Sequence, residues 1–278
     1  MRYLLPAFAL STLLALPGHS LADYATALRP LPVFNTSSSA ALLTAGGASA
    51  MKPDRCGQVR ELEFIALPGT LFNVVSRLNR QGRPLLQVTT EEYRAAPGTS
   101  LFIDADFVAV HDSRPPPRTR QLPAQQEIIR SLLSAAGAAY VWGGNVRGGV
   151  TVSDGSTALA GLDCSGLLYE SSGGWTPRNT SQLVSYGRSV AIAGKTAGEI
   201  AGLLQPLDLI VWNGHVLIVL DRERIIESRL ECGRPGNGGV VVSPLVTRLK
   251  EIMHRRKPAD LWRDGAGKNR FVVRRWYP

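Results

Sequence analysis

Apolar positions in this chain follow two patterns, short punctuated runs before Ser113 and longer or helically spaced runs after Arg118. Between Arg60 and Val110 come LEFIAL, LFNVVSRL, PLLQVTT and LFIDADFVAV, separated by Pro68-Gly69, Gln81-Gly82 and Pro97-Gly98. Short apolar runs closed by turn residues at this spacing predict a small all-β barrel. From Gln125 to Ala136, Ile128, Ile129, Leu132, Leu133 and Ala136 share one face, which predicts an amphipathic helix leading to Gly137. Farther on, GHVLIVL reads as a core strand that His215 begins. Asp221-Arg222-Glu223 reads as a tight turn and Arg224 to Ser228 as the returning strand.

The remaining stretches divide the chain. With 278 residues it holds one large or two small domains, and 44% hydrophobic against 19% charged residues is enough to bury a core. Residues 1–22 carry Arg2, an apolar run and Ser20 and Ala22 before Asp23, the pattern of a cleaved export signal. Pro6 and Pro17 interrupt that run, which is too short for a membrane anchor, so no span is expected once the signal is removed. Residues 23–54, rich in Ala, Ser, Thr, Gly and Pro, read as a linker; 55–113 form the β domain. Arg114-Pro115-Pro116-Pro117-Arg118 is a stiff connector to a second domain at 119–278. Within it, NVRGGVTVSDGSTALAGL reads as a long surface insertion or a flap, the insertion being favoured.

Candidate chemistry centres on Asp163-Cys164-Ser165-Gly166-Leu167-Leu168. The apolar run through Tyr169 stops at Gly173-Gly174, which predicts a buried helix with Cys164 in its first turn. Free backbone N–H groups and the helix dipole there favour a thiolate. A lone cysteine is more often a small core residue, so the assignment depends on a base. The histidines are His19, His111, His215 and His254, and the predicted strand pair sets Glu227 beside His215. Cysteine, histidine and a carboxylate in this order supply a nucleophile, a base and a group to orient it.

DCSGLL, YVWGG, TPRNTSQL, LQPLDLIVW and GHVLIVLDRERIIES together resemble the NlpC-type cysteine peptidases that cut bacterial cell-wall peptides. The resemblance covers roughly the second half of the chain. It implies an α+β, papain-like minimal peptidase domain with Cys164 as nucleophile, His215 as general base and Glu227 as third member. Many relatives carry a second histidine at that third position, so Glu227 is a departure. Tyr140 matches the motif tyrosine near the nucleophile, and Asp163 and Ser165 match residues that help hold the free amino end of the substrate. The N-terminal runs are similar, more loosely, to a bacterial SH3-like domain. The implied reaction is hydrolysis of a peptidoglycan stem peptide at the γ-D-glutamyl-diamino acid bond, in the periplasm or outside the cell, without a cofactor. Two alternatives are an amidase or acyltransferase using the same pair and a non-catalytic wall-binding protein.

Charge and the other cysteines add less. From Leu245 to Pro278 ten basic residues face three acidic ones, +7 of the net +9. With no nucleic-acid motif beside it, this block reads first as a solvated face and second as an attraction to anionic envelope polymers. No cysteine or histidine spacing suggests a metal site. Cys56 and Cys232 could bridge in an oxidising compartment, although nothing in the sequence brings them together and two separate thiols are the favoured expectation.

Overall fold

The computed structural model describes residues 23–46, 52–152, 155–233, 237–262 and 269–278. The expected export signal lies outside them, as do Arg263 and Lys268 of the basic tail. Among the described residues no helix is long and apolar enough to cross a membrane.

The fold mixes helix and sheet in two parts. In the first, β1 (Tyr24–Ala27), β2 (Leu31–Phe34), α1 (Ser37–Gly46), β3 (Leu62–Ala66), β4 (Leu71–Arg80), β5 (Arg83–Thr89), β6 (Leu101–Asp104) and β7 (Val108–His111) follow in sequence. Their order in the sheet is β3-β2-β6-β5-β4-β1-β7. Gln81 and Gly82, at φ 53° and 78°, join β4 to β5 in the two-residue turn whose twist suits a hairpin.

Two expectations are corrected here. The strand order is an open path and no closed barrel is found among the described residues; moreover α1 packs Ala40, Ala41 and Leu43 against Phe34, Ile65 and Leu85. The stretch read as a linker supplies β1, β2 and α1. Ala25, Ala27, Leu31 and Val33 are buried there, and pairing of β1 with β4 and β7, and of β2 with β3 and β6, holds strands that local composition does not announce.

The second part opens with α2 (Gln125–Ser134) at the expected place. Short strands β8 (Asn145–Val146), β9 (Val150–Thr151), β10 (Thr157–Ala158) and β11 (Gly161–Leu162) precede α3 (Cys164–Ser171) and α4 (Thr180–Leu183). Then come β12 (Arg188–Val190), α5 (Ala197–Leu203), β13 (Leu209–Trp212), β14 (His215–Val219), β15 (Arg224–Leu230), β16 (Gly238–Pro244), α6 (Leu245–Met253), β17 (Lys257–Pro258) and β18 (Arg270–Arg275). The central sheet has the order β12-β18-β13-β14-β15-β16, with β17 added beside β18.

Helices cover both faces of this sheet, which explains why Leu209–Trp212 of β13 and residues 216–219 of β14 are apolar at successive rather than alternate positions. Val216, Ile218 and Ile226 pack with Ile128, Leu132, Leu167 and Leu168 of α2 and α3. Leu217, Val219 and Ile225 pack on the other face with Ile200 of α5 and Leu245, Leu249 and Ile252 of α6.

The two parts are joined over a broad contact. The stretch read as a surface insertion or flap forms two small hairpins, and its Val150, Val152 and Ala158 enter the apolar cluster beneath α1. Its apolar residues are too numerous to leave in water, so it becomes part of the seam. Asn145 makes two 2.8 Å hydrogen bonds, its Oδ1 accepting from Ile65 N and its Nδ2 donating to Ile65 O, as a neighbouring strand would. Arg118, the last residue of the stretch read as a stiff connector, is mostly buried and donates to Glu92 and Tyr169. Cys56 and Cys232 form a disulfide, against the expectation of separate thiols, because folding sets their Cα atoms 4.9 Å apart.

Candidate active site

Cys164 is the first residue of α3 and is 7% exposed. Asp163 caps the helix, its Oδ1 accepting from Gly166 N at 2.7 Å. Gly166 is required by packing: a Cβ there would collide with the carbonyl of Gly144, in the loop after Tyr140. That close approach seats the helix start against the YVWGG segment.

His215 begins β14, and Glu227 lies on the adjacent β15. The strand register pairs Ile218 with Ile226 and Val219 with Ile225. Continued back along the strand, it leaves His215 and Glu227 as diagonal neighbours on one face. His215 Nε2 and Glu227 Oε2 are 2.6 Å apart, and the imidazole is close enough to Cys164 to feel its side chain as well. With Nε2 directed at the carboxylate, Nδ1 is the nitrogen left for the sulfur. Burial works against the charged ring. The hydrogen bond and charge of Cys164, followed by those of Glu227, outweigh it and push the His215 pKa up to about 9.

Glu227 is 0% exposed. Burial opposes its ionisation, but hydrogen bonds from His215 and Arg248 and their charges hold its pKa down at about 2. Arg248, on α6, donates from Nε to Oε1 at 2.7 Å and from Nη2 to Oε2 at 3.1 Å. Arg229 Nη1 stands 3.7 Å from Oε1. Trp212 closes one side of the imidazole, with its ring centre 5.2 Å away.

A second group of polar residues surrounds the helix start. Arg178 is 1% exposed and makes a two-pronged contact with Asp163, Nη1 to Oδ1 at 2.9 Å and Nη2 to Oδ2 at 2.7 Å. It also donates to Ser165 Oγ at 2.8 Å, to the carbonyl of Gly144 at 3.2 Å and to Asn145 Oδ1 at 3.1 Å. Tyr140 is 9% exposed. Burial, and then the negative charges of Asp163 and Cys164, hold its phenol far above the ordinary range, so it remains a neutral donor. Gln58, just after Cys56 in the first part, braces this segment by accepting from Trp142 N at 2.8 Å.

The structure thus brings Cys164, His215 and Glu227 together and gathers Tyr140, Asp163 and Ser165 around the helix start. Sequence reasoning passed over Arg178 and Arg248. Arg178 stands inside the quoted TPRNTSQL, and a buried aspartate beside it demands a cation. Arg248 was counted in a solvated basic face, yet Leu245, Leu249 and Ile252 mark the buried side of α6 to which it belongs. Nor is the rest of that tail merely solvated: Arg275 pairs with Asp208 at 2.6 Å, and the buried Arg274 donates to the carbonyls of Ser185, Tyr186 and Gly187.

No protein-family model and no curated protein matches the chain. Several solved structures are similar to it in outline. An NlpC/P60 family protein from Bacillus cereus is 16% identical at a TM-score of 0.35, over 92% of this chain and 64% of that one. The P60 domain of an M. avium subspecies paratuberculosis antigen is 24% identical at a TM-score of 0.33, over 54% of this chain and 93% of that domain. RipD from Mycobacterium tuberculosis, described as a non-catalytic NlpC/p60 domain protein adapted to peptidoglycan binding, is 20% identical at 0.33, over 56% of this chain and 98% of that one. The roles of individual residues are therefore argued from the site's own geometry.

Proposed function

We propose that the chain is an exported cysteine endopeptidase that hydrolyses peptidoglycan stem peptides at the γ-D-glutamyl-diamino acid bond. One observation carries this reading: Cys164, at a helix start, acts on an imidazole whose Nε2 is held by a fully buried, ionised carboxylate. That arrangement supplies a nucleophile and a base whose charged form the carboxylate stabilises.

In the proposed reaction the Cys164 sulfur attacks the amide carbonyl carbon. The backbone N–H of Cys164, at the positive end of α3, faces the oxyanion that forms. His215 gives its Nδ1 proton to the departing amine nitrogen, the C–N bond breaks, and a thioester to Cys164 remains. The neutral ring then takes a proton from water, whose oxygen attacks the thioester and releases the new carboxylate and the sulfur. Glu227 keeps the ring oriented through both steps. Tyr140, Asp163 and Ser165 form the wall on the amino side of the substrate. An incoming ammonium would share Asp163 with Arg178. None of these steps calls on a cofactor.

The test is digestion of defined muropeptides by the pure protein, with products read by mass spectrometry. The wild type should cut between glutamate and the diamino acid, and folded Cys164→Ala should not. A folded wild type that binds muropeptides without cutting them would leave a wall-binding protein. Cleavage at another amide would point to an amidase.

A further inference from the structure

Two turns hold the backbone of Tyr140, and the Cys56–Cys232 bond joins them. The first runs from Asp54 to Gln58 and closes upon itself. Its Asp54 carboxylate accepts from Cys56 N at 2.8 Å and from Gln58 N at 2.9 Å, and Gly57 N donates to Asp54 O at 2.9 Å. From this turn the buried Gln58 side chain reaches into the second part, donating to the Tyr140 carbonyl at 3.4 Å and accepting from Trp142 N at 2.8 Å. Arg60, paired with Asp54 at 2.7 Å, lies over the Trp142 ring at 4.5 Å. Cys232 sits in the other turn, between β15 and β16 and beyond Glu227. Where β16 begins, the Gly238 carbonyl accepts from Tyr140 N at 3.4 Å. The N–H and the carbonyl of Tyr140 are thus gripped from opposite turns, and the disulfide is the covalent link between the grips.

Hydrogen bonds as long as these two are weak, so the covalent link decides whether the turns stay in register. The seam as a whole does not depend on it. Asn145 with Ile65, Arg118 with Glu92 and the apolar cluster beneath α1 join the two parts elsewhere. Breaking the disulfide therefore frees a turn and leaves the fold. Access to the bond is one-sided: Cys56 is 6% exposed, whereas Cys232 lies open to solvent. An external thiolate meets Cys232 first, and exposed disulfides are the readily reduced ones.

We propose that the Cys56–Cys232 bond is a redox switch on the site, holding Tyr140 in place when oxidised and releasing it when thiols reduce the bond. An external thiolate attacks the Cys232 sulfur, the S–S bond breaks, and Cys56 leaves as a thiolate. A second external thiol attacks the outer sulfur of the mixed disulfide and frees the Cys232 thiolate. Two external thiols become one disulfide, and their electrons and protons pass to Cys56 and Cys232. Among reducing thiols the site is loose; in an oxidising compartment it is set. What the switch controls rests on the peptidase reading, but the release of Tyr140 does not.

In full-length Cys164→Ala the remaining cysteines are Cys56 and Cys232, so every thiol released belongs to this bond. That chain is treated with dithiothreitol, its thiols are counted by alkylation and mass spectrometry, and exchange of the Trp142 amide proton is followed by NMR. Reduction should release both thiols from a chain that stays folded, and Trp142 exchange should quicken about 10-fold, the scale of one lost hydrogen bond. When Gln58→Ala is added, the Trp142 N–H is free from the start and reduction should change nothing further. Muropeptide hydrolysis by the wild type should fall by a similar factor on reduction and return on reoxidation. The double variant Cys56→Ser, Cys232→Ser should not respond to dithiothreitol, which separates the switch from any action of the reagent on Cys164. A bond that resists dithiothreitol in the folded chain, unfolding on reduction, or an unchanged Trp142 exchange rate would each overturn the proposal. Hydrolysis at the same rate in both states would also overturn it and leave the peptidase reading standing. Quickened Trp142 exchange with no hydrolysis in either state would keep the release of Tyr140 and remove the peptidase reading.

Discussion

Two buried carboxylates flank Cys164 and His215, and each is gripped by a guanidinium. Asp163 precedes Cys164; it caps α3, accepts two bonds from Arg178 and takes another from Ser165 Oγ. Every one of these partners is part of the fold, so most of its charge keeps the helix start against Gly144, and a substrate ammonium would share only what is left. Glu227 stands behind His215 and divides its two oxygens between Arg248 and the imidazole ring. Only one of its partners changes charge during a reaction. A buried ion pair closed on itself is scaffold, whereas one that shares an oxygen with an imidazole transmits its charge to the chemistry.

Substitutions that treat the two pairs alike should separate them. The largest effect is expected for Arg178→Leu, which strands the Asp163 charge in the interior. Breaking such a pair costs about 3–5 kcal/mol, measured by denaturant unfolding. Arg248→Leu should cost at most about half as much, since the Arg248 side chain is 20% exposed and Glu227 retains His215. Equal losses at the two sites would erase the distinction.

Activity should show the reverse order. Glu227→Leu, folded and assayed for kcat/KM, should lose on the order of 10²-fold, and Glu227→Gln, which keeps an acceptor but not the charge, about 10-fold. Glu227→His should retain substantial activity, because an imidazole can also accept from the ring N–H. If Glu227→Leu matches wild type, the carboxylate is scaffold like Asp163.

The smallest effect is a change in pH dependence. The Glu227 pKa is lowered from 4.5 to about 2, so its contribution to stability is present above pH 4.5 and is lost as pH falls toward 2. His215 runs the other way: raised from 6.5 to about 9, it contributes fully below pH 6.5 and is lost as pH rises through 9. Arg248→Gln removes a positive charge from Glu227 and allows its pKa to rise. The acid limb of kcat/KM should therefore move to higher pH, by roughly one unit. An unmoved limb would mean that Arg248 only fills space.

The sequence made one side of this comparison readable. Cys164, His215 and Glu227 announce themselves through local patterns, a helix start and two strands joined by a tight turn, and their meeting needs only a strand pair. Arg178 and Arg248 lie 15 and 21 residues from the carboxylates they hold, and their pairing depends on where α3 and α6 dock. Charge counting along the tail could not tell Arg248 or Arg274 from a solvated residue. The same limit concealed β1, β2 and α1. Their short stretches of Ala, Ser, Thr and Pro carry no clear apolar period, and it is packing against the neighbouring strands that orders them. Cys56 and Cys232, 176 residues apart, became a pair only through the seam between the two parts.

The central claim, that Glu227 and Cys164 together keep His215 charged, can be read without any substrate. The measurement is an NMR titration of the His215 ring in the wild-type protein and in Cys164→Ala. The account predicts a ring protonated throughout neutral pH with a midpoint near 9 in the wild type, and a lower midpoint once the sulfur is removed. A wild-type midpoint at or below the ordinary 6.5, unchanged in Cys164→Ala, would contradict it.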